Sequence, residues 1–152
     1  MGQALFYHLT RRPLEATLPM LLTKSRQAGW NVVVRGTTDA RINWLDQRLW
    51  AEPEDGFMAH GQAGGDHDAQ QPILLTTKVD MPNNPSCLIS IDGAAISAPE
   101  VEALARVCVL FDGNDAAALA TAREQWKLLT SAGCSAQYWS EDSGAWKMKA
   151  EA

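Results

Sequence analysis

The run Trp30 to Val34, WNVVV, constrains this chain most. Three consecutive valines leave no polar position for a solvent-facing side, so a strand made from them must be covered on both faces. Such a strand belongs inside a sheet with helices above and below it. Its flanks agree. Before it, Ala4 to Leu9 (ALFYHL) reads as a first strand, and Leu14, Leu18, Leu21 and Leu22 then recur at helical spacing until near Gly29. Pro13 suits the first helical turn, where its missing N–H is not needed. Pro19 breaks the pattern and predicts a kink or a later start. After the run, Thr37 and Thr38 precede a second helix over Asp39 to Trp50, with Ile42, Leu45 and Leu49 spaced three and four apart. Strand, helix, strand, helix predicts a parallel α/β sheet with right-handed crossovers.

The middle of the chain, 51–86, reads mostly as loop. A short strand at Pro72 to Thr76 lies between two turn-rich clusters, GQAGGDHDAQQ and DMPNNPS. Cys87 to Ile91 (CLISI) is a further strand, and Ala98 or Pro99 opens a short helical segment leading into the apolar run Leu104 to Phe111. Asp115 to Gly133 is rich in Ala, Leu, Glu, Gln and Lys and reads as a helix of about five turns. Asn114 or Asp115 can cap its start, and Gly133 stands where a left-handed C-cap belongs. Ser135 to Trp139 makes a last strand, and the tail GAWKMKAEA is expected to fray beyond Trp146. A length of 152 residues suits one domain spanning 1–152. The expected architecture is a three-layer α/β/α domain with a mostly parallel, Rossmann-like sheet. The phosphate-binding loop common in such folds is missing, because LFYHLTRRP contains neither GxGxxG nor GxxxxGK[ST]. Fold class alone does not make the chain an enzyme.

Composition narrows the function. Hydrophobic content of 46% and charged content of 20% are ordinary for a soluble globular protein. No apolar run approaches the roughly 20 residues of a membrane helix, and the N-terminus does not read as a signal peptide. The three cysteines, Cys87, Cys108 and Cys134, are scattered, odd in number and without a CxxC pair. Reduced thiols in a cytoplasmic protein are expected, two of them buried in strands, and a structural zinc site is not. Net charge is −5, and the pI is about 5.1. That balance disfavours a grip on nucleic-acid phosphates. An acidic partner would need a local basic patch.

Few residues suggest catalysis. His60, Asp66, His67 and Asp68 have metal-ligand chemistry, but among glycines and without a defined spacing they read as a polar surface loop. His8 is a lone strand histidine with no nucleophile to activate. Glu52, Glu54 and Asp55 read as a solvated turn. In LWAEPEDGFMAHG, Leu49 to Gly61, the large residues Trp50, Phe57 and Met58 either cap the core or form a protein-docking patch.

The last helix is different. Winding Asp115 to Gly133 at roughly 100° per residue places Ala118, Ala122, Leu129, Ala132 and the marginal Leu128 on one side, with Gln125 as the intruder. Leu119, Arg123, Trp126, Lys127 and Thr130 fall opposite, and Trp126 lies at the seam. Arg and Lys on a helix face are most often simply solvated. A bulky ring between two cations also suits a ligand that is both acidic and apolar: a guanidinium fork matches a carboxylate, Lys adds a point charge and Trp an apolar floor.

These features, in order along the chain, resemble the chi subunit of bacterial DNA polymerase III. The likeness is carried by FYHL near the N-terminus, LDxxLW at Leu45 to Trp50, AEPEDGFMAHG, the strand CLISI and the closing AREQWKLLTSAG, and spans about Ala4 to Trp146. The resemblance implies a non-catalytic accessory subunit of the clamp-loader complex, without a cofactor. It implies binding to the acidic, phenylalanine-ending C-terminal tail of single-stranded DNA-binding protein through Arg123, Trp126 and Lys127. Trp126 replaces the Tyr common in that family, and Leu119 replaces a basic residue one turn earlier. Trp50 and Phe57 match the family's surface for the psi subunit, a patch that could equally meet another clamp-loader component or a helicase.

Overall fold

The computed structural model describes residues 2–10, 14–51, 60–140 and 146–152. Its elements are β1 (Gln3–Leu9), α1 (Leu14–Gln27), β2 (Val32–Arg35), α2 (Asp39–Ala51), β3 (Gly61–Gln62), β4 (Ile73–Thr76), β5 (Cys87–Ser90), α3 (Ala98–Ala103), β6 (Arg106–Asp112), α4 (Ala116–Ser131), β7 (Ser135–Ser140) and β8 (Lys147–Glu151). The strands form an eight-stranded sheet in the order β3-β4-β2-β5-β6-β1-β7-β8. Pairing is parallel from β3 through β7, and β8 alone runs antiparallel to its neighbour β7.

Alternation along the strands sorts the core into two layers. On one face, Leu5, Tyr7, Val32, Val34, Ile73, Leu75, Ile89 and Leu110 meet Leu18 and Leu22 of α1 and Leu45 of α2. On the other, Phe6, Val33, Leu74, Leu88, Val107 and Val109 meet Val101 of α3 and Ala122 and Leu129 of α4. The fold is therefore three-layered α/β/α. The three central valines are fully enclosed, as a strand covered on both faces requires.

Local signals set the helix ends. Thr38 Oγ1 accepts the N–H of Arg41 at 3.2 Å at the start of α2. Ser97 and Glu100 form a reciprocal capping box on α3, with Pro99 in its first turn. Two local expectations need correction. α1 begins at Leu14 and contains Pro19, so the proline does not delay it. Burial of Leu14, Leu18, Leu21 and Leu22, at about 1.5–3 kcal/mol each, outweighs the roughly 3 kcal/mol that an internal proline costs. The tail does not fray beyond Trp146 but forms β8. All five β8 residues are exposed, so backbone pairing holds the strand, extended by mutual hydrogen bonds between Ala136 and Ala152. A hydropathy pattern cannot reveal such a strand. β8 carries one extra residue, Lys149, between the pairs Tyr138–Ala150 and Trp139–Met148. That bulge and the lysines are common protections of an open sheet edge.

Candidate functional site

The last helix is pinned at both ends. Asp115 Oδ1 accepts the N–H groups of Ala117 at 2.9 Å and Ala118 at 3.3 Å. At the other end Gly133, with φ of 88°, donates to the carbonyl of Thr130, and Cys134 donates to that of Leu129. These two bonds are the Schellman pattern, which needs the left-handed conformation at Gly133.

The inward face of α4 departs from the helical-wheel expectation. Ala122 and Leu129 are buried, but Leu128 is 58% exposed and Ala132 is also exposed. The core stripe is narrower than expected, and Leu128, a full 100° from Leu129, falls outside it. The intruder Gln125 belongs inside. It is only 9% exposed, and its Nε2 donates to the carbonyl of Ala94 at 3.0 Å.

Trp126 sits at the seam, partly buried. Its indole meets Phe6 of β1 edge-on, with centroids 5.3 Å apart and planes at 70°. It also stands against Tyr138 of β7 at 6.2 Å and 79°. Beneath them, the Tyr138 hydroxyl is hydrogen-bonded to His8 Nδ1 at 2.6 Å, and the His8 ring lies 5.2 Å from that of Phe111. His8 is thus a structural member of an aromatic row under the indole. Gly113 leaves the space that its imidazole fills. Tyr138 was not singled out from the sequence, although its spacing of two from Ala136 places it on that face.

Arg123 and Lys127 flank the indole, three residues before and one after it. Both are exposed, and among the described residues neither side chain has a hydrogen bond or an ion pair. The result is a half-open aromatic wall beside two cations that no carboxylate among the described residues neutralises. Chemically it can take a carboxylate next to an apolar ring.

The crevice where Rossmann-like sheets hold nucleotides has the opposite character. A cleft of about 730 Å³ lies at the carboxyl ends of β1 and β6, lined in part by Thr10, Arg41, Asp92, Asp112, Asn114 and Asp115. Three carboxylates face it, and Arg41 already pairs with Asp92 at 2.9 Å. The nearby amides that open α4 are taken by Asp115 itself. A phosphate there would meet three carboxylates.

The remaining candidates are structural. His60 is not in a surface loop; it is buried at 5% exposure, with Nε2 3.2 Å from Asp46 Oδ1. Asp68 accepts the amides of Gly64 and Gly65 and closes a turn. No cluster of three metal-ligating side chains occurs among the described residues. Cys87, Cys108 and Cys134 are all buried and unbridged. A hydrogen bond to Cys87, together with burial, pushes the Cys108 thiol well above the usual range, which keeps it unreactive. No helix among the described residues is long and apolar enough to cross a membrane. Trp50 ends α2, but its side chain, like all of Phe57 and the acids Glu52, Glu54 and Asp55, lies outside the described residues.

Sequence reading missed Arg35, the last residue of β2. It is 3% exposed, and it donates to the carbonyls of Lys78, Val79 and Ala95 and to both Glu100 carboxylate oxygens. Its position directly after three buried valines was the available signal.

Residues 1–137 match the family described as DNA polymerase III chi subunit, HolC. The chain belongs to that family. It is also 27% identical over 97 residues to a probable DNA polymerase III subunit chi from Rickettsia prowazekii (strain Madrid E), covering 64% of this chain and 59% of that relative. The chain thus spans well under two thirds of the length of this chi relative. Arg123, Trp126 and Lys127 fall inside the stretch matched to the chi family. The end of β7 and the whole of β8 lie beyond it.

Proposed function

We propose that this chain is a non-catalytic accessory subunit of the DNA polymerase III holoenzyme. In this reading it links the clamp-loader complex to single-stranded DNA-binding protein by holding that protein's acidic C-terminal tail. One observation carries the reading: on the cationic, indole-walled face of α4, Arg123 and Lys127 have no side-chain partner among the described residues. The guanidinium of Arg123 receives the tail's terminal carboxylate, Trp126 and the aromatic row beneath it receive the terminal ring, and Lys127 attracts the acids. Trp50 and Phe57 belong to a second contact, with the psi subunit, another clamp-loader component or a helicase. The role needs no cofactor, no direct contact with nucleic acid and no membrane, and its place is the cytoplasm.

Titration calorimetry with an acidic peptide ending in phenylalanine tests the reading. Arg123→Ala should weaken binding by about 1.5–3 kcal/mol, the range for a hydrogen bond to a charged group. Affinity should also fall as salt is added, because the attracting charges are exposed. An unchanged affinity in the variant places the tail elsewhere. The competing reading, a nucleotide-dependent enzyme, predicts that ATP or NAD binds; the acidic crevice speaks against it.

A further inference from the structure

In the proposed tail site the residue one turn before Arg123 is Leu119, which packs against the core of the α4 layer, so α4 carries no further cation there. The sheet edge supplies one. Residues directly opposite in an antiparallel pair point to the same face. Tyr138 lies on the α4 face, packed with the core of that layer, while Trp139 packs with the opposite layer. Ser140 therefore returns to the α4 face, and its partner on β8 is Lys147. The bulge matters here, because it is the extra Lys149 that sets Lys147 in register with Ser140.

The height along the sheet also agrees. Trp126 stands level with Tyr138, which it touches. Ser140 is two residues farther along β7, about 6.6 Å at the usual strand rise. α4 descends antiparallel to the strands, since it leaves the carboxyl end of β6 and returns to the start of β7. A distance of 6.6 Å therefore corresponds to roughly four residues of helix, the level of Ala122 and Arg123. Lys147 is exposed, and among the described residues its side chain has no partner. A cation thus stands one strand outside β7, at the level of Arg123 along the sheet and on the same side of it.

We propose that β8 is the outer rim of the peptide site and that Lys147 receives the carboxylates preceding the terminal residue of the same acidic tail. The inference rests on the proposed function above. The occupant is an extended acidic peptide because the rim offers the exposed cation Lys147 on the face that carries Trp126 and Arg123. β8 lies beyond the residues matched to the family.

Calorimetry on the full chain with two peptides separates the proposal from the reading beneath it. One peptide is acidic and ends in phenylalanine with a free carboxylate; the other has its upstream aspartates replaced by asparagine. Lys147→Ala should weaken the acidic peptide roughly two- to fivefold, as loss of an exposed ion pair does, and Lys147→Glu should weaken it more. Neither change should alter binding of the neutralised peptide. Arg123→Ala should weaken both. Acidic-peptide affinity that ignores Lys147, or equal losses for both peptides, overturns the rim while leaving the clamp in place. If the unaltered chain binds neither peptide, clamp and rim fall together. A dimer through the β8 edges, seen by sedimentation and abolished by Lys147→Glu, would also overturn the proposal. Matching thermal midpoints for the variants confirm that each is folded, as expected for exposed side chains.

Discussion

Arg35 shows how much a single buried cation can organise. Its five donated bonds tie the segment after β4, the segment before α3 and Glu100 of α3 to the end of a central strand. Replacing it with Met would leave a partly buried carboxylate, still held by Ser97, and three carbonyls without that donor set. We expect Arg35→Met to lower stability by about 3–5 kcal/mol in urea unfolding, the range for removing one partner of a buried pair. A loss below 1 kcal/mol would mean that water serves those acceptors equally well. Gln125 teaches the complementary lesson. A polar residue on a core stripe marks a buried acceptor, here the Ala94 carbonyl, which it shares with the Ser90 hydroxyl.

At the scale of elements, α4 depends on its terminators. Gly133 holds φ of 88°, a conformation that a Cβ disfavours by roughly 1 kcal/mol or more. Gly133→Ala should therefore lower the thermal midpoint measurably, and unchanged melting would show that the turn can relax into another cap. Which elements were legible follows from how each is held. β2, β5, β6, α1, α2 and α4 are held by side-chain burial, so valine runs and leucine spacing announced them. β8 is held by backbone pairing with no buried side chain, and β3 has only Gly61 and Gln62; neither leaves a hydropathy trace. Likewise, Arg123, Trp126 and Lys127 stand out by chemical type on one helix. Tyr138 and Phe6 reach the same place only through strand register, which a linear reading does not provide. The patch at Trp50 and Phe57 was readable as composition, but its geometry lies outside the described residues.

Over the whole molecule, charge should govern both partner choice and response to acid. With a net charge of −5, an acidic ligand needs a local group of cations, such as Arg123 and Lys127 on α4. Acid should act partly through Glu100. Burial pushes its carboxyl up, but the Arg35 guanidinium and the Ser97 donors override that and hold it below the usual glutamate range. A depressed folded value means that its contribution is complete above the ordinary glutamate range and is lost as pH falls through the folded value. Urea midpoints measured from about pH 7 down to pH 3 should fall less steeply for Glu100→Gln than for the unaltered chain. Parallel curves would show that the pair does not report on folding.

The double anchoring of α4, by Asp115 at one end and Gly133 at the other, has a consequence for any visiting peptide. The receptor surface is a braced rod laid on a sheet, so it has little freedom to surrender on contact. Nearly the whole entropic penalty of docking then falls on the guest. A guest stiffened beforehand into its extended shape should accordingly dwell longer on this surface than a slack one of identical composition.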